Sequence, residues 1–135
     1  MKLLRERFAR EAEALVGCPY RLHGREPNTG LDCIGLATYA LARCGIPVSV
    51  SASYSLRNLS IDQLIEKAEL DILRLSAGAP HRGDIVLVRP GPAQHHLLIA
   101  TGPHCFVHAH AGIRRVVHQR GTPGWPITHH WQLAG

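Results

Sequence analysis

The sequence predicts an α+β domain, with N-terminal helices packed on an antiparallel β-sheet meander. Three observations predict it. Apolar residues recur at helical spacing in the first half of the chain, and after Pro80 short β-branched runs are separated by Pro-Gly turns. The third is order: helices come first and strands later. At 135 residues the chain fits one domain, 1–135, and can bury a core without metal or disulfide staples.

The first helix is predicted over 3–16. Leu4, Phe8, Ala12 and Leu15 share a face there, and Gly17 and Pro19 end it. Gly24, Pro27, Asn28 and Gly30 make 21–31 a loop. A second helix runs from about Cys33 to Cys44. It is apolar on nearly all sides and therefore buried, with Asp32 as N-cap, Gly45 as stop and Pro47 beyond. Residues 48–59 are Ser-rich and loop-like. Ser60 and Gln63 form a capping box for a third helix, 61–74. Strands follow at Asp84–Val88, Leu97–Ala100, Cys105–Ala109 and Ile113–His118, with a last one at Ile127–Leu133. Short turns between them imply the meander.

Composition narrows the function classes. The net charge is +5 with histidines neutral, but the basic residues are scattered and no run of five occurs. Charge alone is weak support for nucleic-acid binding and fits equally well a mild attraction to an anionic surface such as a cell wall. No apolar run approaches the ~18 residues of a membrane span. Charges at Lys2, Arg5, Glu6 and Arg7 interrupt the N-terminus too early for a signal-peptide apolar region, so a cytoplasmic start is expected. The four cysteines, Cys18, Cys33, Cys44 and Cys105, form no CxxC pair and no disulfide framework.

One cysteine is placed for chemistry. Cys33 falls in the first turn of the buried helix, where unpaired N–H groups and the helix dipole favour thiolate and can hold an oxyanion. Its pKa is expected to fall, while Cys44 at the other end meets the opposite field. Taken alone, Asp32-Cys33 reads equally as a capped core helix. A thiol nucleophile needs a base, and the base an orienting partner. His96 opens the second strand and His108 lies in the third, so a turn at Gly102 can set them across from each other. A one-residue slip of register would substitute His95 for His96. Each histidine alone also reads as a polar strand end or a satisfied core residue. A metal site is the rival chemistry: His108 and His110 share a strand face, with His104 and Cys105 close in sequence, but no known ligand spacing is present.

Gly17-Cys18-Pro19-Tyr20, Leu31-Asp32-Cys33-Ile34-Gly35-Leu36 and Gly45-Ile46 resemble the NlpC/P60 cysteine peptidases, whose fold is papain-like. Arg82-Gly83-Asp84-Ile85-Val86-Leu87, His96-Leu97-Leu98-Ile99 with Gly102, and Phe106-Val107-His108-Ala109 continue the resemblance in the family's order, over roughly residues 13 to 118. The resemblance implies Cys33 as nucleophile, His96 as base and His108 as orienting residue. It also implies Tyr20 in the oxyanion region and Asp32 as the residue before the nucleophile. It further implies cleavage of peptidoglycan stem peptides without metal or organic cofactor. Ile34 replaces a common Ser, Leu22-His23-Gly24 stands for Trp-Gly-Gly, and Leu98 for a Gly, so a different substrate groove is expected. Asp32-Cys33-Ile34-Gly35-Leu36 and the short single domain resemble the branch found in phage tails and gene-transfer particles. That branch implies partners among tail proteins and action at the cell wall from within a particle. Two further readings stay open: a Cys-dependent amide hydrolase with a non-wall substrate, and a non-catalytic tail-assembly protein that keeps the fold.

Overall fold

The structure is a computed structural model that describes residues 2–46, 73–91, 94–121 and 124–133. Helix α1 spans Lys2–Glu13 and helix α2 Cys33–Arg43; between them lies a short antiparallel hairpin, β1 (Arg25–Glu26) with β2 (Gly30–Leu31). The remaining strands are β3 (Leu73–Leu75), β4 (Ile85–Gly91), β5 (Gln94–Ala100), β6 (Cys105–His110), β7 (Arg115–Arg120) and β8 (Ile127–Leu133). They form one antiparallel sheet in the order β3-β8-β4-β5-β6-β7.

The α+β class and the β4-to-β7 meander agree with the sequence reading. Several local expectations change: α1 ends at Glu13 rather than at 16, and β4 runs on to Gly91 rather than ending at Val88. The loop 21–31 contains the β1–β2 hairpin. Strand β5 begins at Gln94, three residues early. The expected fourth strand starts instead at Arg115, because Arg114 turns left-handed (φ 66°) and holds His110–Arg114 as a turn. Leu73 and Arg74 belong to strand β3, paired with β8, and not to a helix ending at 74. The rest of that helix, its capping box and the loop 48–59 lie outside the described residues.

Helix α1 packs as its periodicity requires, with Phe8, Ala9 and Ala12 fully buried and Leu15 close to it. Arg82 ties it to the sheet by bonding Glu6 (2.6 Å), Glu13 (2.8 Å) and the carbonyl of Thr101 (3.3 Å). Helix α2 is buried from Cys33 through Thr38. Its C-terminus closes on Gly45 (φ 81°), with Ile46 N–H bonding Leu41 O and Gly45 N–H bonding Ala42 O, both at 2.9 Å. The sheet is covered on both faces. Ile85, Leu87, Leu97, Ile99, Val107 and Trp131 join the helices in the main core. Val86, Val88, Leu98, Ala100 and Phe106 form a second cluster against Trp125. By alternation these two sets face opposite ways. That is why β4 and β5 read as continuous apolar runs.

Candidate active site

The site begins at the N-terminus of α2. Asp32, fully buried, caps the helix: its Oδ1 accepts from Gly35 N–H and its Oδ2 from His23 N–H, each at 2.8 Å, and the Arg25 guanidinium lies 3.4 Å away. The carboxylate thereby holds the loop before it against the helix. Gly24 and Gly35 make the close approach possible, since a Cβ at Gly35 would collide with the carbonyl oxygen of Gly24. Burial pushes the Asp32 carboxyl upward, against the opposing bonds from Gly35 and His23 and the Arg25 charge.

Cys33 follows the cap and is 1% exposed. Its sulfur is faced by its own N–H, by that of Ile34 and by that of Leu97 on β5. The third donor follows from the sheet. Strands β5 and β6 pair only at Ile99–Val107 and Ala100–Phe106. Ala100 N–H bonds Asp84 O on the β4 side. Alternation turns Leu97 N–H the other way, toward β6, where this part of β5 has no strand partner. The α2 N-terminus meets the sheet at that split, which brings Cys33 beside the strand that carries His96.

His96 and His108 are brought together on one face of the sheet. His96 Nε2 lies 2.9 Å from His108 Nδ1, with the rings edge-on at 5.1 Å. The two residues are diagonal neighbours, not the directly opposed pair expected: the register that sets Ile99 against Val107 would place His110 across from His96. Burial pushes His96 down to about 3 and lowers His108, with the neighbouring histidines adding to the effect on His96. By the same alternation His95 falls on the other face, away from His108.

The expectation of a lowered Cys33 pKa is corrected. Burial is the largest influence and pushes the thiol up to about 12; the Asp32 charge adds to it, and the three N–H groups only offset part. The resting pair is therefore neutral thiol and neutral imidazole. Tyr20 reaches the same place. Its hydroxyl is pushed up to about 12 by burial and by the Asp32 and Cys33 charges. Its backbone is held by Arg114 O at 3.0 Å, beside the Pro19–Arg115 bridge.

Three neighbours escaped the sequence reading in this role. Gln119 Oε1 lies 2.6 Å from His108 Nε2. Trp125 stands perpendicular to both histidine rings at 5.9 Å and walls the pair. His110 lies 5.5 Å from His108. Strand alternation could have put Gln119 and His110 on the face of His108, but Trp125 enters from a loop that no periodicity predicts. Among the described residues no group of three or more His, Cys, Asp or Glu is arranged to hold a metal.

A helix N-terminus carrying a thiol, packed against a split antiparallel sheet that carries a histidine pair, is a papain-like architecture. Residues 17–131 match the NlpC/P60 family, and the chain belongs to it. It is 36% identical over 86 residues to the murein DD-endopeptidase MepH of Escherichia coli K12, a match covering 59% of this chain and 27% of that protein. This chain thus spans about a quarter of that relative's length. Among solved structures, NlpC2 of Trichomonas vaginalis superposes with a TM-score of 0.76 at 20% identity, covering 98% of this chain and 47% of that one. The peptidoglycan hydrolase RipB of Mycobacterium tuberculosis gives 0.66 at 22%, covering 97% and 64%. These two likenesses establish the fold.

Proposed function

We propose that this chain is a cysteine peptidase that hydrolyses amide bonds in peptidoglycan stem peptides. The observation that carries the reading is the hydrogen bond between His96 and His108, with His96 on the strand whose Leu97 N–H faces the Cys33 sulfur. Membership of the NlpC/P60 family and the likeness to a murein endopeptidase support the substrate class.

His96 is the base, His108 its orienting residue and Cys33 the nucleophile. Because the pair rests neutral, proton transfer accompanies attack: His96 takes the Cys33 proton as sulfur adds to the amide carbonyl. The N–H groups at the α2 N-terminus, with Tyr20 beside them, stabilise the tetrahedral oxyanion. The protonated His96 then gives its proton to the leaving amine, and the C–N bond breaks to leave a thioester. Water, deprotonated by His96, hydrolyses the thioester and frees Cys33. Asp32 acts by holding the helix start and the His23–Arg25 loop. No step draws on a metal or organic cofactor.

The test is digestion of purified muropeptides, read by mass spectrometry. A new amine and a new carboxylate at one stem-peptide bond are expected for the wild type, and loss of turnover for folded Cys33→Ala and His96→Ala. Full turnover by Cys33→Ala would overturn the assignment. Cleavage of other amides but not muropeptides would move the substrate outside the wall. A folded wild type inert on every amide would favour a structural, tail-assembly role, to which the raised Cys33 pKa is also compatible. Asp32-Cys33-Ile34-Gly35-Leu36 supports placement in the phage-tail and gene-transfer-particle branch; co-purification with particles tests that placement.

A further inference from the structure

We propose that Gln119 is a positioning residue that acts through His108 to fix His96 in the tautomer carrying its proton on Nε2. The inference rests on the reading of His96 as the base, since only that role makes the tautomer matter.

The chain of donors starts at an atom with no proton. Gln119 Oε1 only accepts, so His108 Nε2, 2.6 Å away, must be the N–H. Neutral imidazole carries one ring proton, which leaves His108 Nδ1 as an acceptor. His96 Nε2 lies 2.9 Å from that acceptor and therefore donates to it. His96 Nδ1 is then left with a free lone pair, the form a base needs to take a proton from a thiol. Burial keeps both rings in the neutral state on which this logic depends.

Among the described residues, nothing else near the pair sets the order. His110 packs on the His108 ring, but its Nδ1 accepts the N–H of Ile113 at 3.1 Å. Trp125 meets both rings edge-to-face. Gln119 is itself well placed to act, because β6 and β7 pair without a break from Cys105–Arg120 to His110–Arg115, with Gln119 opposite Phe106. The direction of this one amide has a large consequence. Turned end for end, Gln119 would donate to His108 Nε2 and every proton would reverse. His96 would then carry its proton on Nδ1 and have no lone pair for the thiol.

The decisive measurement is the tautomer of His96 in intact, 15N-histidine-labelled protein, read from long-range nitrogen–proton correlations at neutral pH. Protonated Nε2 and bare Nδ1 are expected on both His96 and His108. Gln119→Met, of similar length without the acceptor, should mix the tautomers and lower kcat about tenfold or more at unchanged KM. Gln119→Glu accepts in the same place. It should keep the order, recover most of kcat and move the acid limb of the pH–rate profile upward, because a carboxylate favours a protonated imidazole. Wild-type His96 protonated on Nδ1, or a folded Gln119→Met with unchanged tautomer and kcat, would overturn the proposal. The wild-type spectrum decides even if the variants fail to fold. Wild type with the expected tautomers but no hydrolysis would uphold the positioning order and overturn the hydrolase reading instead.

Discussion

Cys33 lies where two influences oppose each other. The helix N-terminus and the Leu97 N–H favour the thiolate, while burial and the Asp32 carboxylate oppose it, and burial prevails. In the native protein Cys33 should therefore be the last of the four thiols alkylated at neutral pH, behind the partly exposed Cys18, Cys44 and Cys105. Peptide mapping of a time course checks this; Cys33 reacting first would contradict the neutral, closed pair. His96 gives a second expectation. Its value is 6.5 when unperturbed and falls to about 3 in the folded protein. Between those pH values the unfolded chain binds the extra proton, so stability is full above about 6.5 and is lost as pH falls toward 3. Lowered His108 contributes with the same sign. Urea unfolding across that range should show a shallower acid loss for His96→Asn than for wild type; equal slopes would remove the buried neutral histidine from the account.

At the scale of elements, α2 is defined by what holds its first turn. Asp32 caps Gly35 N–H and also satisfies His23 N–H. Asp32→Ala should cost about 1–2 kcal/mol for the cap, and more for the donor left unpaired. Chemical denaturation measures the loss, and a change near zero would mean the cap is replaced by water. Gly35→Ala tests the close approach to Gly24. The collision must push the loop off the helix, at a cost of about 1–3 kcal/mol by the usual scale of overpacking. Because that shift moves Tyr20 and His23 as well, activity should fall further than stability alone explains, which kcat measured well below the melting temperature would show.

At the scale of the molecule, the sheet depends on its last strand. Strand β8 lies between β3 and β4, so contacts distant in sequence complete the core: Ile85 pairs with Trp131 and Leu73 with Leu133. Buried Asp84, just before β4, and buried His130 of β8 are joined by a short side-chain bond. A chain truncated before Trp125 should lose cooperative melting, because β4 would expose an edge and Trp131 would leave the core. Circular dichroism on heating reads this out; a sharp transition in the truncated chain would show that β8 is dispensable.

The sequence by itself determined the elements whose signal is local. Helix α1 shows in the spacing of Leu4, Phe8 and Ala12. Helix α2 shows in Asp32, its apolar run and Gly45, and the meander in Pro-Gly turns between β-branched runs. It also gave the candidate residues Tyr20, Asp32, Cys33, His96 and His108, because motif order along the chain is local information. Tertiary structure decided what depends on partners far away. Leu73–Leu75 became a strand because β8 offered it an edge, overriding helical spacing. Register placed His108 diagonal to His96 and set Gln119 behind it. The split between β5 and β6 turned Leu97 N–H toward Cys33. Burial, which no local pattern measures, reversed the expected direction of the Cys33 pKa: a helix dipole is a property of one element, whereas desolvation is a property of everything packed around it.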